Sequence, residues 1–241
     1  MADGLTLTVL GASGSYAGPG QACSGYLLTA GPTRVWLDAG SGTLANLQRH
    51  ISLADLDAIV LSHEHPDHWT DVQGFAVASH YVLHLPPIPV FAPKGLRARL
   101  LAPADAFVWH VVADGSGVEI GALRLTFRRT DHGPETLAVR VDGAGRSLGY
   151  SADTGPGWSL TALGPGLDLA LCEATYLEEL PDGARHMTAR QAGEMAREAG
   201  ADALVITHLQ PTVDPAAART AAEAAFGAPV EVAAAGLVRV V

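Results

Sequence analysis

The stretch that decides the fold is Ser62-His63-Glu64-His65-Pro66-Asp67-His68, which follows an apolar run of the chain. It places three imidazoles and two carboxylates within the six positions from His63 to His68. Imidazole and carboxylate groups suit zinc, and histidines two residues apart in an extended turn can chelate one ion. Asp67 and His68 then point elsewhere, which favours a second ion nearby. The stretch therefore predicts a metal centre with two ions.

The run Asp57-Ala-Ile-Val-Leu-Ser-His63 is echoed by Asp202-Ala-Leu-Val-Ile-Thr-His208, with four identical positions and three conservative exchanges. Each run is too apolar to alternate, which indicates a buried strand that delivers a histidine where the chain leaves the sheet. The echo suggests two half-domains that present equivalent strand ends at one site. A chance match of seven apolar-biased residues is the alternative.

Strands are predicted where short apolar or β-branched runs are bounded by Gly, Pro or Asp. These runs are Leu5–Leu10, Tyr26–Thr29, Arg34–Leu37, Ala58–Ser62, Pro89–Phe91, Leu123–Phe127, Leu137–Val141, Leu148–Ser151, Leu167–Cys172, Leu204–Thr207 and Leu237–Val240. Helices are predicted over Thr43–Gln48, Asp71–Tyr81, Ala189–Ala199 and Pro215–Phe226. Thr188 with Gln191 forms a capping box, and Asp214 is an N-cap residue. Strands and helices interleave without a linker, so we expect one α/β domain over residues 1–241.

The composition narrows the function classes. With only Cys23 and Cys172, the 241 residues hold neither a disulfide framework nor a four-cysteine zinc site. No signal peptide or membrane-spanning run is visible, so we expect a soluble, cytoplasmic protein with no membrane partner. Lys94 is the only lysine and the formal net charge is −10. This balance argues against long nucleic acid as a partner, although bound metal ions can still attract a small anion.

The motif His63-x-His65-x-Asp67-His68 after a buried strand resembles the signature of the metallo-β-lactamase superfamily. Three further segments resemble its other motifs: Thr130-Asp131-His132-Gly133, Tyr150-Ser151-Ala152-Asp153-Thr154-Gly155 and Val205-Ile206-Thr207-His208. The resemblance covers essentially the whole chain. It implies a single-domain, four-layer αββα sandwich with the metals at one edge of the two sheets.

The resemblance also implies a ligand set for two divalent ions, zinc first and manganese as the alternative. His63, His65 and His132 are expected to hold the first metal. Asp67, His68 and His208 are expected to hold the second, with Asp153 bridging both. Asp67 is also expected to take part in catalysis. His50, His80, His84 and His110 fit no motif and are interpreted as structural or surface residues.

Glu173 in Leu171-Cys172-Glu173-Ala174-Thr175-Tyr176 and His186 before the capped helix resemble a pair in the RNase Z branch of the superfamily. There, a histidine protonates the leaving oxygen and a glutamate orients it. The alternative is a helix-entry histidine and a surface glutamate. Only 20 residues separate His132 from Asp153. The long arm that grips tRNA in that branch is therefore missing, which argues against a tRNA substrate.

The N-terminal half is similar to actinobacterial enzymes described as atypical class II cyclic-nucleotide phosphodiesterases. The similar segments are Thr8–Ser15, Gly18-Pro19, Ser24–Leu28, Leu37–Gly40 and Leu47–His50. Asp38 is expected to orient a metal-binding histidine, or else to be a strand-end turn residue. The Gly11–Gly20 loop is either a tight turn or a set of backbone N–H groups that face a phosphate.

Together these resemblances imply a dinuclear phosphodiesterase that hydrolyses a small cyclic nucleotide with a metal-bound hydroxide as nucleophile. The first candidate substrate is 3′,5′-cyclic AMP, a small anionic phosphodiester. An RNA or tRNA 3′-endonuclease, a lactone or thioester hydrolase of the same superfamily, and a non-catalytic binding protein are the alternatives. A homodimer is a further expectation.

Overall fold

The strand-forming runs pair into two seven-stranded mixed sheets, in a computed structural model that describes residues 4–101 and 103–241. From edge to edge, the first sheet contains β14 (Val238–Val240), β1 (Thr6–Gly11), β2 (Gly25–Ala30), β3 (Thr33–Ala39), β4 (Ala58–Val60), β5 (Ile88–Ala92) and β6 (Phe107–Val111). The second contains β13 (Val230–Val232), β12 (Ala203–Thr207), β11 (Leu169–Glu173), β10 (Arg146–Tyr150), β9 (Leu137–Gly143), β8 (Leu123–Arg129) and β7 (Gly117–Ile120).

The two sheets repeat one pattern of strand direction. Strands β1 to β3 and β8 to β10 pair antiparallel with their neighbours, whereas β3 to β6 and β10 to β13 pair parallel. By this pattern β4 corresponds to β11, and not to β12. The two echoed strands, which end near His63 and His208, do deliver their histidines to the same edge. The expectation that they hold equivalent positions in two half-domains was wrong.

Four α-helices within the described residues cover the outer faces of the sheets. They are α1 (Thr43–Leu47), α2 (Asp71–Val77), α3 (Ala189–Glu198) and α4 (Pro215–Phe226). Short 3₁₀ turns cover Leu53–Asp55, Pro66–His68, Leu96–Arg99, Ala104–Ala106 and Leu160–Leu163, and a π-helical turn, Ala78–Leu83, continues α2. The capping box of Thr188 and Gln191 is present at the start of α3, and Asp214 caps α4.

Three apolar clusters hold the layers together. One lies between the sheets and contains fully buried side chains such as Leu28, Phe127 and Val139. The second joins the first sheet to α1 and α2 around Trp36, and the third joins the second sheet to α3 and α4 around Ile206. Side chains of both faces of each sheet are thus buried, as the near-continuous apolar runs predict. The architecture is the single-domain αββα sandwich that the resemblance implied.

The strands β6, β7 and β13 were missed by the sequence analysis. Each lies at or next to a sheet edge, is only three to five residues long, and includes half-buried or exposed positions. Such strands depend on their neighbour for stability more than on their own pattern. The predicted helix over Asp71–Tyr81 was too long, because α-helical bonding ends at Val77.

Both cysteines are buried and free. Burial raises the pKa of the Cys23 thiol to about 11, so the thiol stays protonated near neutral pH and is a poor nucleophile or metal ligand. Among residues 4–101 and 103–241, no helix is sufficiently long and apolar to span a bilayer.

Candidate metal centre

The predicted site residues converge on one edge of the sandwich. Parallel strands end at the same edge, and the site residues follow the carboxyl ends of β4, β10, β11 and β12. His63 lies beyond β4, Asp153 beyond β10, Glu173 at the end of β11 and His208 directly after β12. The 3₁₀ turn Pro66–His68 with its N-cap residue His65, the loop that follows β8, and the segment before α3 that carries His186 add the other predicted side chains.

Two groups of ligand atoms that share no residue form within this edge, each spanning no more than 4.8 Å, and a third group of the same span, Asp153, His186 and His208, overlaps both. The first group consists of His63, His65, His132 and Asp153, and the second of Asp67, His68 and His208. These are the residues that the resemblance assigns to the two metals, with Asp153, the expected bridge, falling in the first group. All of these side chains are buried except that of His65, which is half-buried.

Asp153 lies between the two groups, with one oxygen towards each. Its Oδ2 is 3.5 Å from His63 Nε2 and 3.9 Å from His132 Nε2. Its Oδ1 is 3.3 Å from His68 Nε2 and 3.4 Å from His208 Nε2. Burial opposes ionisation of Asp153, but the imidazoles outweigh it and hold its pKa well below the usual range. A carboxylate in this position can bridge two cations.

Four of the histidines present one ring nitrogen to the cluster and bond the other to the protein, and in His63 the second nitrogen, Nδ1, lies 3.0 Å from Ser62 Oγ. His68 Nδ1 lies 2.8 Å from Asp38 Oδ2, His132 Nδ1 is 2.8 Å from the Arg185 carbonyl oxygen, and His208 Nδ1 is 2.8 Å from Thr175 Oγ1. A carbonyl oxygen only accepts, so His132 Nδ1 carries a proton and Nε2 is the nitrogen that can offer a lone pair to a metal. Such partners fix the orientation and basicity of metal-binding imidazoles.

Asp38 is the most extensively bonded of these partners. Besides His68, its carboxylate accepts hydrogen bonds from the backbone N–H and hydroxyl of Ser62 and from the hydroxyl of Tyr150. The residue is fully buried and has a φ of 53°, a conformation that costs free energy for a non-glycine residue. The structure thus places Asp38 where the sequence analysis expected it, behind a cluster histidine.

The donor set fits divalent cations. His63 Nε2 and Asp153 Oδ1 are buried and lack a hydrogen-bond partner. His68 Nε2 lies 3.1 Å from His208 Nε2, and His132 Nε2 lies 3.2 Å from His65 Nδ1. At these separations two ring nitrogens can approach only with a proton or a cation between them, because two facing lone pairs would repel. Nitrogen and carboxylate donors in these numbers suit zinc or manganese, consistent with a dinuclear site.

Glu173 and His186 lie against the cluster as a hydrogen-bonded pair, with His186 Nδ1 3.0 Å from Glu173 Oε1. The buried glutamate also accepts from the backbone N–H groups of Thr154, Thr175 and Met187 and from the Thr175 hydroxyl. These donors leave the carboxylate one orientation. His186 is partly exposed, and its Nε2 has no hydrogen-bond partner among the described residues.

The electrostatic surroundings of His186 favour its protonated form. Burial lowers the pKa of the ring, but the hydrogen bond and charge of Glu173, together with the charge of Asp153, outweigh burial and raise it to about 9. In the metal-free protein the ring is therefore protonated near pH 7. Because Nδ1 is bonded to Glu173, the proton on Nε2 is the one available to a substrate.

The remaining histidines and Glu64 lie outside the two ligand groups. Glu64, although inside the histidine motif, forms an ion pair with Arg99 at 3.0 Å. His80 pairs with Asp105 at 3.3 Å and His110 stacks on a phenylalanine ring, as expected of surface or structural residues. The sequence analysis missed the partner roles of Thr175 and of the Arg185 carbonyl. Neither residue has a spacing signal in the sequence, although Thr175 lies only two residues after Glu173.

The Gly11–Gly20 loop packs directly onto the cluster. The backbone N–H of Ser15 donates to Asp67 Oδ2 at 2.8 Å, and Gly14 N–H donates to the Leu209 carbonyl oxygen at 2.9 Å. A Cβ atom at Gly14 would collide with the carbonyl oxygen of His208 and lie 2.8 Å from its Nδ1. The glycine is therefore required for close approach to a candidate ligand.

We expect Gly14→Ala to destabilise the protein by about 1–3 kcal/mol, the usual cost of an overpacked core position, and to weaken metal binding because His208 must shift. Chemical denaturation and a metal titration measure both effects. Gly117→Ala is the matched control, since the nearest atom to its Cβ would be 3.9 Å away. Wild-type stability and metal affinity in Gly14→Ala would show that the loop does not constrain His208.

Comparison with known proteins places the chain in a family. The sequence profile described as "Beta-lactamase superfamily domain" matches residues 33–209. The chain is 36% identical to the uncharacterized protein Rv1339 of Mycobacterium tuberculosis, over 94% of this chain and 88% of that protein. It is 28% identical to the ribonuclease Z of Methanopyrus kandleri, over 92% of this chain and 93% of that protein.

A solved structure shares the whole fold. The crystal structure of the metallo-beta-lactamase fold protein YhfI from Bacillus subtilis superposes with a TM-score of 0.92, covering 98% of this chain and 99% of that chain at 27% identity. The chain belongs to the metallo-β-lactamase superfamily. It is a metal-dependent hydrolase, similar within the superfamily to YhfI and ribonuclease Z.

Proposed function

We propose that this hydrolase is a dinuclear phosphodiesterase that cleaves a small cyclic nucleotide, with 3′,5′-cyclic AMP as the first candidate. The observation that carries the proposal is the Glu173–His186 pair beside the two ligand groups. Cleavage of a phosphodiester expels a poor alkoxide leaving group, which needs a proton. Hydrolysis of a lactone or thioester on the same cluster has less need of such an acid.

Each side chain has a defined task in this proposal. When bound, two divalent ions supply an activated water and polarise the phosphoryl oxygens. His186 donates its Nε2 proton to the departing 3′-oxygen, while Glu173 holds the ring through Nδ1. Asp67 is held at Oδ2 by Ser15 N–H. Its Oδ1 has no hydrogen-bond partner among the described residues and is available to orient the attacking water.

Two features favour a small substrate over RNA. The chain between His132 and Asp153 is occupied by β9 and β10, which form a hairpin and leave no arm that could grip a folded RNA. The formal net charge of −10 also disfavours a long polyanion. An RNA 3′-endonuclease is the second candidate, because the chain is similar to ribonuclease Z along its length.

A cavity of about 410 Å³ adjoins the segment that directly follows His208 and offers space for a nucleoside. Its lining includes Ser13, Leu209 and Gln210, and Leu209 both follows His208 and pairs with Ser13. Most of the other lining side chains are small or apolar, as is typical of ligand pockets. We propose that the phosphate occupies the cluster and that the base lies in this cavity.

Filling the cavity should weaken binding of the base without affecting binding of the phosphate. We expect Ala235→Trp, at the cavity lining, to raise KM for cyclic AMP by roughly tenfold, the equivalent of about 1.4 kcal/mol of binding free energy. Steady-state kinetics with bis(p-nitrophenyl) phosphate, which has no base, should show no change. Ala122→Trp, in the exposed β7–β8 turn, is the control. An unchanged KM for cyclic AMP would exclude this cavity as the base site.

A turnover panel on metal-quantified protein tests the proposed function. The panel contains cyclic nucleotides, bis(p-nitrophenyl) phosphate, a lactone, a thioester and a precursor tRNA. We expect cyclic nucleotides to give the highest kcat/KM among the natural substrates. Preferred cleavage of the precursor tRNA would favour the endonuclease, and preferred turnover of the lactone or thioester would contradict phosphodiester chemistry.

A further inference from the structure

The hydroxyl of Thr175 lies between the two functional parts of the site. Its Oγ1 is 2.6 Å from Glu173 Oε2, 2.8 Å from His208 Nδ1 and 3.2 Å from His186 Nδ1. The side chain is fully buried, so no water competes for these contacts. One hydroxyl therefore contacts a candidate metal ligand, the candidate acid and the carboxylate that orients the acid.

The direction of each hydrogen bond follows from the groups involved. A hydroxyl has one proton, and an ionised carboxylate oxygen only accepts. Thr175 therefore donates to Glu173 Oε2, which is its shortest contact. Its lone pairs then accept the Nδ1 proton of His208, because the only proton of the hydroxyl is already used. His186 Nδ1 has its nearer partner in Glu173 Oε1 at 3.0 Å.

We propose that Thr175 is a positioning residue that couples the metal site to the acid pair. By accepting from His208 Nδ1, it fixes the tautomer whose Nε2 lone pair faces the cluster. By donating to Glu173, it holds the carboxylate in the orientation that bonds His186. The role at His208 concerns metal binding alone. The role at Glu173, which concerns the acid His186, rests on the proposed phosphodiesterase function.

Removing the hydroxyl should leave the surrounding backbone in place. The Thr175 carbonyl oxygen accepts from Gln210 N–H at 3.3 Å, and the Thr175 N–H donates to Glu173 Oε2 at 3.3 Å. Both contacts are made by the main chain and survive Thr175→Val, which has nearly the same shape. A matched control is Thr33→Val. Thr33 is also buried and its Oγ1 accepts from Ala122 N–H, but it begins β3, at the end away from Asp38 and the metal centre.

The first experiment measures zinc affinity by competition with a chromophoric chelator. We expect Thr175→Val to bind one of its two ions roughly 10–100-fold more weakly, the usual effect of losing a partner behind a metal ligand. Thr175→Ser should stay within about threefold of wild type, and Thr33→Val should match wild type. Wild-type affinity in Thr175→Val, or an equal loss in Thr175→Ser, would overturn the proposal.

A second experiment does not depend on a Thr175 variant. In ¹⁵N-histidine NMR spectra of the wild-type protein without metal, His208 should carry its proton on Nδ1, with the downfield proton shift of a strong hydrogen bond. The His208→Gln spectrum assigns the signal. A His208 ring protonated on Nε2 alone would overturn the proposal, even if Thr175→Val failed to fold.

The role of Thr175 at Glu173, which orients the acid His186, is tested by two substrates with different leaving groups. In zinc-saturated Thr175→Val, turnover of cyclic AMP should fall at least tenfold more than turnover of bis(p-nitrophenyl) phosphate, whose leaving group needs no proton. Equal losses of turnover on the two substrates would overturn the role of Thr175 at Glu173. If wild-type protein turned over no cyclic nucleotide, the proposed function would fail, while the zinc and NMR measurements would still decide the role at His208.

Discussion

Asp153→Ala will lower phosphodiester turnover by about three orders of magnitude or more, since a single group that faces both ligand groups is lost. Metal analysis of the variant should fall below the two equivalents expected of the wild-type protein. The physical reason is that its two oxygens approach four imidazole nitrogens at 3.3–3.9 Å, and no other carboxylate in the described part of the chain reaches both groups. Steady-state kinetics and elemental analysis measure the two effects.

The fold should survive the same substitution, because Asp153 follows the end of β10 and contributes no strand pairing. Far-UV circular dichroism and the unfolding midpoint of the metal-free protein provide the control. Asp142→Ala, which loses an ion pair with Arg140 and a hydrogen bond from the Ser147 hydroxyl, is a matched variant that should keep full activity. Turnover by Asp153→Ala within tenfold of wild type, a barrier change of only about 1.4 kcal/mol, would contradict the bridging role.

His186→Ala will slow hydrolysis of cyclic AMP by roughly 10²–10⁴, the usual contribution of a positioned general acid. His186 belongs to neither of the two ligand groups described above, so both ions should remain bound. The loss should shrink for bis(p-nitrophenyl) phosphate, because nitrophenolate leaves without a proton. Comparing kcat/KM for the two substrates in metal-quantified protein gives the result.

Glu173→Gln should show a milder form of the same pattern, since the glutamate orients the acid and does not contact the substrate. Equal losses on good and poor leaving groups, with both metals retained, would remove His186 from the acid role. His186 also lies within 4.8 Å of ligand atoms of Asp153 and His208. Loss of metal from His186→Ala would therefore make the residue a ligand instead.

Much of the fold and site could be predicted because the determining residues are local in sequence. The histidine motif that ends at His68 directly follows its strand in the sequence. The segments that carry His132, Asp153 and His208 each follow a strand as well. Strong caps such as Asp214 also fixed helix starts well. Burial on both faces makes the central strands near-continuous apolar runs, so their positions were clear.

The missed parts depend on contacts between distant segments. Thr175 acquires its role only because β12 places His208 beside it, 33 residues away in sequence. The carbonyl oxygen of Arg185 bonds His132 through the backbone, so side-chain identity carries no signal. Edge strands such as β6 and β7 depend on a neighbouring strand and have weak patterns of their own. The sequence echo at His63 and His208 led to a wrong prediction of equivalent strands, because β4 and β12 have similar sequences but occupy different positions in the two sheets.

The most direct test of the central claim is ³¹P NMR of 3′,5′-cyclic AMP incubated with the zinc-loaded protein. We expect conversion to 5′-AMP, because His186 protonates the 3′-oxygen as its bond to phosphorus breaks. Conversion should stop when a chelator removes the metal, and should be at least 100-fold slower with His186→Ala. Unchanged cyclic AMP after incubation with protein containing two equivalents of metal, or 3′-AMP as the product, would contradict the central claim.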